Sequence, residues 1–177
     1  VVRVRILGVA LDAAEQHVIL LKPLGEPEGS GRILPVWIGA QEATSILVAV
    51  EGAEPPRPLA HDLMVSLLQS LEGTVTRVEV TRIEDGTYYA EITLVTPRGV
   101  RTIDARPSDA IALASRTGST IWVADDVLER AGILDTISDR DVLGDDDADA
   151  EREGDAEEEV EEFRRFLDDV DPEDFQG

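Results

Sequence analysis

The sequence has no cysteine and only two histidines, His17 and His61. Without thiols there is no disulfide framework and no thiolate ligand. Two imidazoles alone do not make the usual four-ligand shell of a structural zinc site, so zinc is excluded. Aromatic residues make up 4% of the chain, which leaves little material for a base-stacking platform. Lys22 is the only lysine; every other basic residue is arginine. No apolar run approaches the roughly 20 residues that a membrane-spanning helix needs. The opening stretch VVRVRILGVALD alternates like a strand and lacks the basic, apolar and small-residue regions of a secretory signal. A soluble cytoplasmic protein without a membrane partner is therefore expected. There is no Gly-rich phosphate loop, GxSxG elbow or helix-turn-helix signal, and no organic cofactor is expected.

What is present is a chain of 177 residues, 42% hydrophobic and 31% charged, long enough for one well-buried domain. The net charge of −22 is unevenly spread. From Asp135 onward there are 20 acidic and 4 basic residues, whereas residues 1 to 134 carry 18 acidic and 12 basic, a net of only −6. Residues 1–134 are therefore expected to fold as the domain, with 135–159 an acidic flexible linker. Beyond it Val160, Phe163, Phe166, Leu167 and Val170 share one helical stripe that Asp171-Pro172 ends. This predicts an amphipathic helix over 160–171 that could dock on its own core, on a second copy or on another protein.

Within the first 134 residues, Val2, Val4 and Ile6 alternate with Arg3 and Arg5, and His17–Leu21 and Arg32–Ile38 read as two further strands. Helices are expected over 41–50 and 59–71, the second on the spacing of Leu63, Leu67, Leu68 and Leu71, with the stiff loop AEPPRP between them. Strands follow at 75–83 and 88–95 around an Asp85-Gly86 hairpin turn, then at 100–105. A helix from Pro107 to Arg116 ends at Gly118, a strand covers 120–123, and Asp126 with Glu129 suggests a capping-box start to a last short helix. Shifting the chain by 67 places lays PVWIGAQEATSIL over TIDARPSDAIAL, matching Val36 with Ile103, Glu42 with Asp109, Ala43 with Ala110 and Ile46 with Leu113. The expected fold is α+β, a single domain with mixed or antiparallel sheet in which a three-strand, two-helix arrangement occurs twice. Trp37 and Trp122 sit among apolar strand neighbours and are expected in the core, while His17 is expected to face solvent.

The stretch richest in chemistry is RTIDARPSDAIALASR, from Arg101 to Arg116, where a short strand turns directly into an Ala-rich helix. Asp104, Arg106, Ser108 and Asp109 crowd a junction whose backbone N–H groups lack helical partners, a place that can hold an anion or a metal. Together with LPVWIGAQEA and RPLAHDL, in that order and at these separations, DARPSDAIALA resembles the bifunctional nuclease family over roughly residues 1 to 134. The segment FRRFLDDVDPEDF is similar to a C-terminal extension of bacterial members. The resemblance implies an α+β domain, frequently a homo-oligomer, that hydrolyses RNA and DNA. One departure is Ala60, where the family usually has Thr, so no hydroxyl is available there as a cap.

Hydrolysis of a phosphodiester needs a base or metal to generate hydroxide, a cation for the developing charge on phosphorus, and commonly carboxylates to hold Mg²⁺ or Mn²⁺. His61, Asp62 and Glu42 are the candidate catalytic residues. Arg106 and Ser108 are candidates for phosphate, and Asp62, Asp109 and Glu42 for a Mg²⁺ or Mn²⁺ ion. Each has a plainer alternative. Glu42, Asp62 and Asp109 could stabilise helix starts, Arg106 could pair with Asp104 or Asp109, and Ser108 could be a turn hydroxyl. Two functions follow. One is a low-specificity nuclease acting on RNA or DNA; the other is a non-catalytic regulatory or scaffold protein that engages a partner through its acidic tail and residues 160–171.

Overall fold

A computed structural model describes residues 1–135 apart from Glu28 and Glu54. They belong to one compact unit, Val1–Thr136. The expected helix over 160–171, and all of the expected linker except Asp135, lie outside the described residues. Twelve elements occur among the described residues, in the order β1 (Val2–Leu11), β2 (His17–Pro23), β3 (Arg32–Trp37), α1 (Ala40–Val50), α2 (Ala60–Ser70), β4 (Thr74–Glu84), β5 (Thr87–Thr96), β6 (Gly99–Ala105), α3 (Pro107–Thr117), β7 (Thr120–Val123), α4 (Asp125–Ala131) and β8 (Ile133–Leu134).

All eight strands form one sheet in the order β6-β5-β4-β7-β1-β2-β3-β8. The duplication read from the sequence is visible in it. β1-β2-β3 and β4-β5-β6 are both antiparallel three-strand meanders, each leading into a helix, α1 or α3. β7 joins the two meanders, parallel to β4 and antiparallel to β1. Asp85 and Gly86 both take positive φ, 49° and 78°, the geometry that a two-residue turn needs to match strand twist.

The sheet curls strongly. Strands pair about 4.8 Å apart, so β5 and β3, five steps apart in the order, would lie roughly 24 Å from each other in a flat sheet. Instead the Tyr88 hydroxyl donates to the Pro35 carbonyl at 3.1 Å. Register shifts in β1 between Ile6 and Gly8, and in β4 at Val75/Arg77 and Val80/Arg82, supply local bends.

The curl encloses one core, to which Ile19, Leu21, Leu34, Ile46, Val78, Val80, Ile111, Val123 and Val127 each contribute an almost wholly buried side chain. α3 is its central helix. Ala110, Ile111, Ala112, Leu113 and Ala114 are consecutive and all buried, because α3 packs on β4 and β5 while α1 and α2 pack on α3. Alanines at these positions let the neighbouring backbones approach closely, which accounts for the composition of IALA.

Several expectations are corrected at this level. Trp37 is 52% exposed and not in the core, since it ends β3 beyond the last buried residue. Trp122 is half-buried on the sheet face opposite Ile121 and Val123, under the Arg77 guanidinium at 4.3 Å. α4 starts two residues early, with Ala124 and not Asp126 at the N-cap and no side-chain cap bond. His17 is half-buried rather than solvent-facing.

Candidate active site

Three helices begin at related points of the fold, and each carries an acid at its third residue. Ala40, Ala60 and Pro107 are the first helical residues of α1, α2 and α3, which puts Glu42, Asp62 and Asp109 at equivalent positions. At that position a carboxylate can bond back to its own helix start. Only Asp62 is seen to do so by a hydrogen bond, its Oδ2 accepting from Leu59 N at 2.8 Å. Leu59 is the N-cap of α2 and Ala60 its first residue, so the position where the family usually has Thr lies inside the helix.

Glu42 and Asp109 point instead at Arg106. The Arg106 Nε donates to Asp109 Oδ2 at 2.7 Å, and Nη2 reaches both Asp109 Oδ1 at 3.1 Å and Glu42 Oε1 at 2.9 Å. Asp109 Oδ1 also meets His61 Nε2 at 3.2 Å, and His61 Nδ1 meets the Ser45 hydroxyl at 2.9 Å. The network assigns the imidazole proton. With Asp109 ionised, His61 Nε2–H donates to it, and Nδ1 accepts from the Ser45 hydroxyl. Burial pushes the Asp109 carboxyl up, but the Arg106 and His61 hydrogen bonds and charges outweigh this and hold it below its ordinary value. Its hydrogen bonds, with the charges of Asp109 and then Glu42, raise Arg106 above its already high value.

Two clefts open on this cluster. One, of about 470 Å³, is lined by Ser45, Leu59, His61, Met64 and Asp109. The other, of about 620 Å³, is lined by His17, Trp37, Tyr88, Pro107 and Ser108. Glu42 and Arg106 belong to both walls. Glu42 is folded back over Gly39, where an added β-carbon would meet Glu42 Oε2 and make the carboxylate shift.

Of the residues singled out from the sequence, Glu42, His61, Arg106 and Asp109 converge, and Ser108 lines the adjoining cleft. Asp62 does not converge with them. Its Oδ1 takes the Arg116 Nε at 2.6 Å and its Oδ2 caps α2, and it lines neither cleft. Arg106 pairs with Asp109 and not with Asp104. Two partners were missed. Ser45 follows Glu42 by three residues on one face of α1, and Arg116 follows Asp109 by seven on α3, so helical spacing could have flagged both.

A Mg²⁺ or Mn²⁺ ion does not fit the cluster as arranged. Among the described residues no three His, Asp or Glu side chains are grouped to hold a metal. The space between Glu42 and Asp109 is filled by the Arg106 guanidinium, and both oxygens of Asp62 are engaged elsewhere.

The fold and the cluster define an α+β domain with a Glu-Arg-Asp-His site built from three helix starts. The bifunctional nuclease domain model matches residues 23–136, and the chain belongs to that family. Over 174 residues it is 38% identical to an uncharacterized protein of Mycobacterium tuberculosis (strain ATCC 25618 / H37Rv), covering 98% of each chain. It is 27% identical over 115 residues to Bifunctional nuclease 1 of Oryza sativa subsp. japonica and to the bifunctional nuclease of Oryza minuta, spanning 63% of this chain and 34% of each rice protein. Among the described residues, no helix is long and apolar enough to cross a membrane.

Proposed function

We propose that this protein hydrolyses phosphodiester bonds of RNA or DNA with low sequence specificity; the rice relatives are named bifunctional nucleases. The observation that carries the reading is the convergence of Glu42, His61, Arg106 and Asp109, from three separate helix starts, on paired clefts. Water attacks phosphorus while His61 takes its proton at Nδ1, in place of the Ser45 hydroxyl or through it. The bond from phosphorus to the leaving oxygen then breaks. Asp109, held ionised, retains the resulting imidazolium. Arg106 faces the charge that grows on the non-bridging oxygens, and Ser108 adds a hydroxyl on the side of the adjoining cleft. Glu42 holds the guanidinium in place. No step passes through a metal.

Purified protein is expected to degrade labelled RNA or single-stranded DNA, and His61→Ala and Arg106→Ala each to lower the rate by about 100-fold or more. Adding chelator, Mg²⁺ or Mn²⁺ in the same assay reads the metal requirement directly. Activity unchanged in both variants would mean a contaminating nuclease and end the reading. The protein is proposed to act in the cytoplasm and, on the support of α2, as a homo-oligomer. From Leu63 to Leu71 that helix and its cap carry no charge, yet Leu63, Met64, Leu67 and Leu71 are exposed. The scaffold reading rests on residues 160–171, outside the described residues.

A further inference from the structure

The cleft beside the catalytic cluster has a wall that hydrolysis does not use. Trp37 stands at its mouth, exposed, with its indole N–H donated to Asp12 Oδ2 at 2.9 Å. Asp12 is itself fixed, because its Oδ1 accepts from the backbone N–H groups of Ala14 at 2.8 Å and Gln16 at 2.9 Å. A large aromatic ring is thus held in one orientation while part of its surface remains in water. A ring serving only as packing would be expected to lie under neighbours, as Trp122 lies under Arg77. His17, Tyr88 and Pro107 complete a flat-sided, partly aromatic lining. Arg106 lines this cleft and is shared with the His61 cleft. Its contacts with Glu42 and Asp109 use Nε and Nη2, which leaves Nη1 to meet an anion.

We propose that this cleft takes an unpaired nucleotide of a single-stranded nucleic acid, its base stacked on Trp37 and its phosphate at Arg106, so that the chain continues into the His61 cleft. The inference rests on the nuclease reading and specifies its substrate class. Stacking on an aromatic side chain requires a base that has left its own helix, and every base has a π-face to offer. A site of this kind selects single strands over duplexes without selecting sequence. The fixed indole lowers the ordering cost of binding, because the ring is already oriented before the base arrives.

The test separates binding from cleavage. Titrating full-length His61→Ala protein with short oligo(dT) and oligo(rU) strands is expected to quench tryptophan emission. Adding Trp37→Leu to that protein should abolish most of the quench and weaken single-strand affinity by about 10-fold or more. Trp37→Phe should restore part of the affinity. Asp12→Ala, which keeps the ring but frees it, should give a smaller loss. Affinity for a duplex of the same strands should be unchanged in all of them. Equal losses for duplex and single strand, or no loss in Trp37→Leu, would overturn the proposal. So would tryptophan emission that changes with protein concentration alone and no longer does so in Trp37→Leu, since that would place this ring between copies of the chain. Trp37-dependent single-strand binding by a wild-type protein that cleaves nothing would sustain this site and refute the hydrolytic reading instead.

Discussion

Three carboxylates at the same helical position divide between two cations. Glu42 and Asp109 share Arg106, while Asp62 pairs with Arg116, whose side chain is 7% exposed. Arg116 also donates to the Ala112 carbonyl at 3.1 Å, and its Nη2 is buried without a partner. Removing the Asp62 charge would leave that guanidinium still less satisfied. Asp62→Asn is therefore expected to destabilise the fold by about 1–3 kcal/mol at neutral pH. The Arg116 hydrogen bond leads the interactions that hold Asp62 below its ordinary 3.8. Its stabilisation is then complete above that value and is lost as pH falls through the lower folded-state value. Urea melts of wild type and Asp62→Asn should differ near pH 7 and converge in acid; a constant gap across that range would contradict the pairing. From sequence, His61, Arg106 and Asp109 were legible because they crowd helix starts. Asp62 was read into the same site because spacing places a residue on a helix without saying which neighbour, here one 54 residues away, its side chain will meet.

At the scale of elements, most strands and helices were legible because alternation and helical spacing are local. What covers each face was not. The leucine spacing of α2 suggested a core stripe through Leu63, Leu67, Leu68 and Leu71, but the stripe that faces α3 consists of buried His61 and half-buried Val65 and Leu68. Leu63 and Leu67 lie off that stripe and are exposed. Two apolar stripes on one helix satisfy the same periodicity, and only tertiary packing chooses between them. The uncovered stripe predicts that Leu67→Glu shifts the protein toward monomer in light-scattering chromatography and changes thermal stability of that monomer by about 0.5 kcal/mol or less. A wild type that is monomeric at all concentrations would remove the basis for this expectation. Trp37 was misplaced for a related reason, since a strand pattern does not reveal that its last residue extends past the covering layer.

For the molecule as a whole, the duplication was readable in the match of PVWIGAQEATSIL to TIDARPSDAIAL, and both copies form a strand leading into a helix. The sheet order was not readable, because β7 enters between β4 and β1 from far along the chain. The C-terminal end of the folded unit is tied to β2 by a buried ion pair. Lys22 on β2 bonds Asp135, just after β8, and also donates to the Ser30 carbonyl at 2.9 Å; Gly29 N adds a bond to the same carboxylate at 3.1 Å. Breaking one side of such a pair strands the other charge, so Asp135→Asn is expected to cost about 3–5 kcal/mol in denaturant unfolding, and Lys22→Met with Asp135→Leu considerably less. Equal costs for the two would show that the charges do not act as a pair.

That same lysine has a practical side. It is the only lysine in the sequence and is fully buried, so the folded domain shields its only side-chain amine from water. Amine-directed reagents meet this side chain only when the region around β2 and Asp135 opens. The rate at which it becomes modified is then a built-in clock for opening of the fold, readable in the unaltered protein without any introduced label.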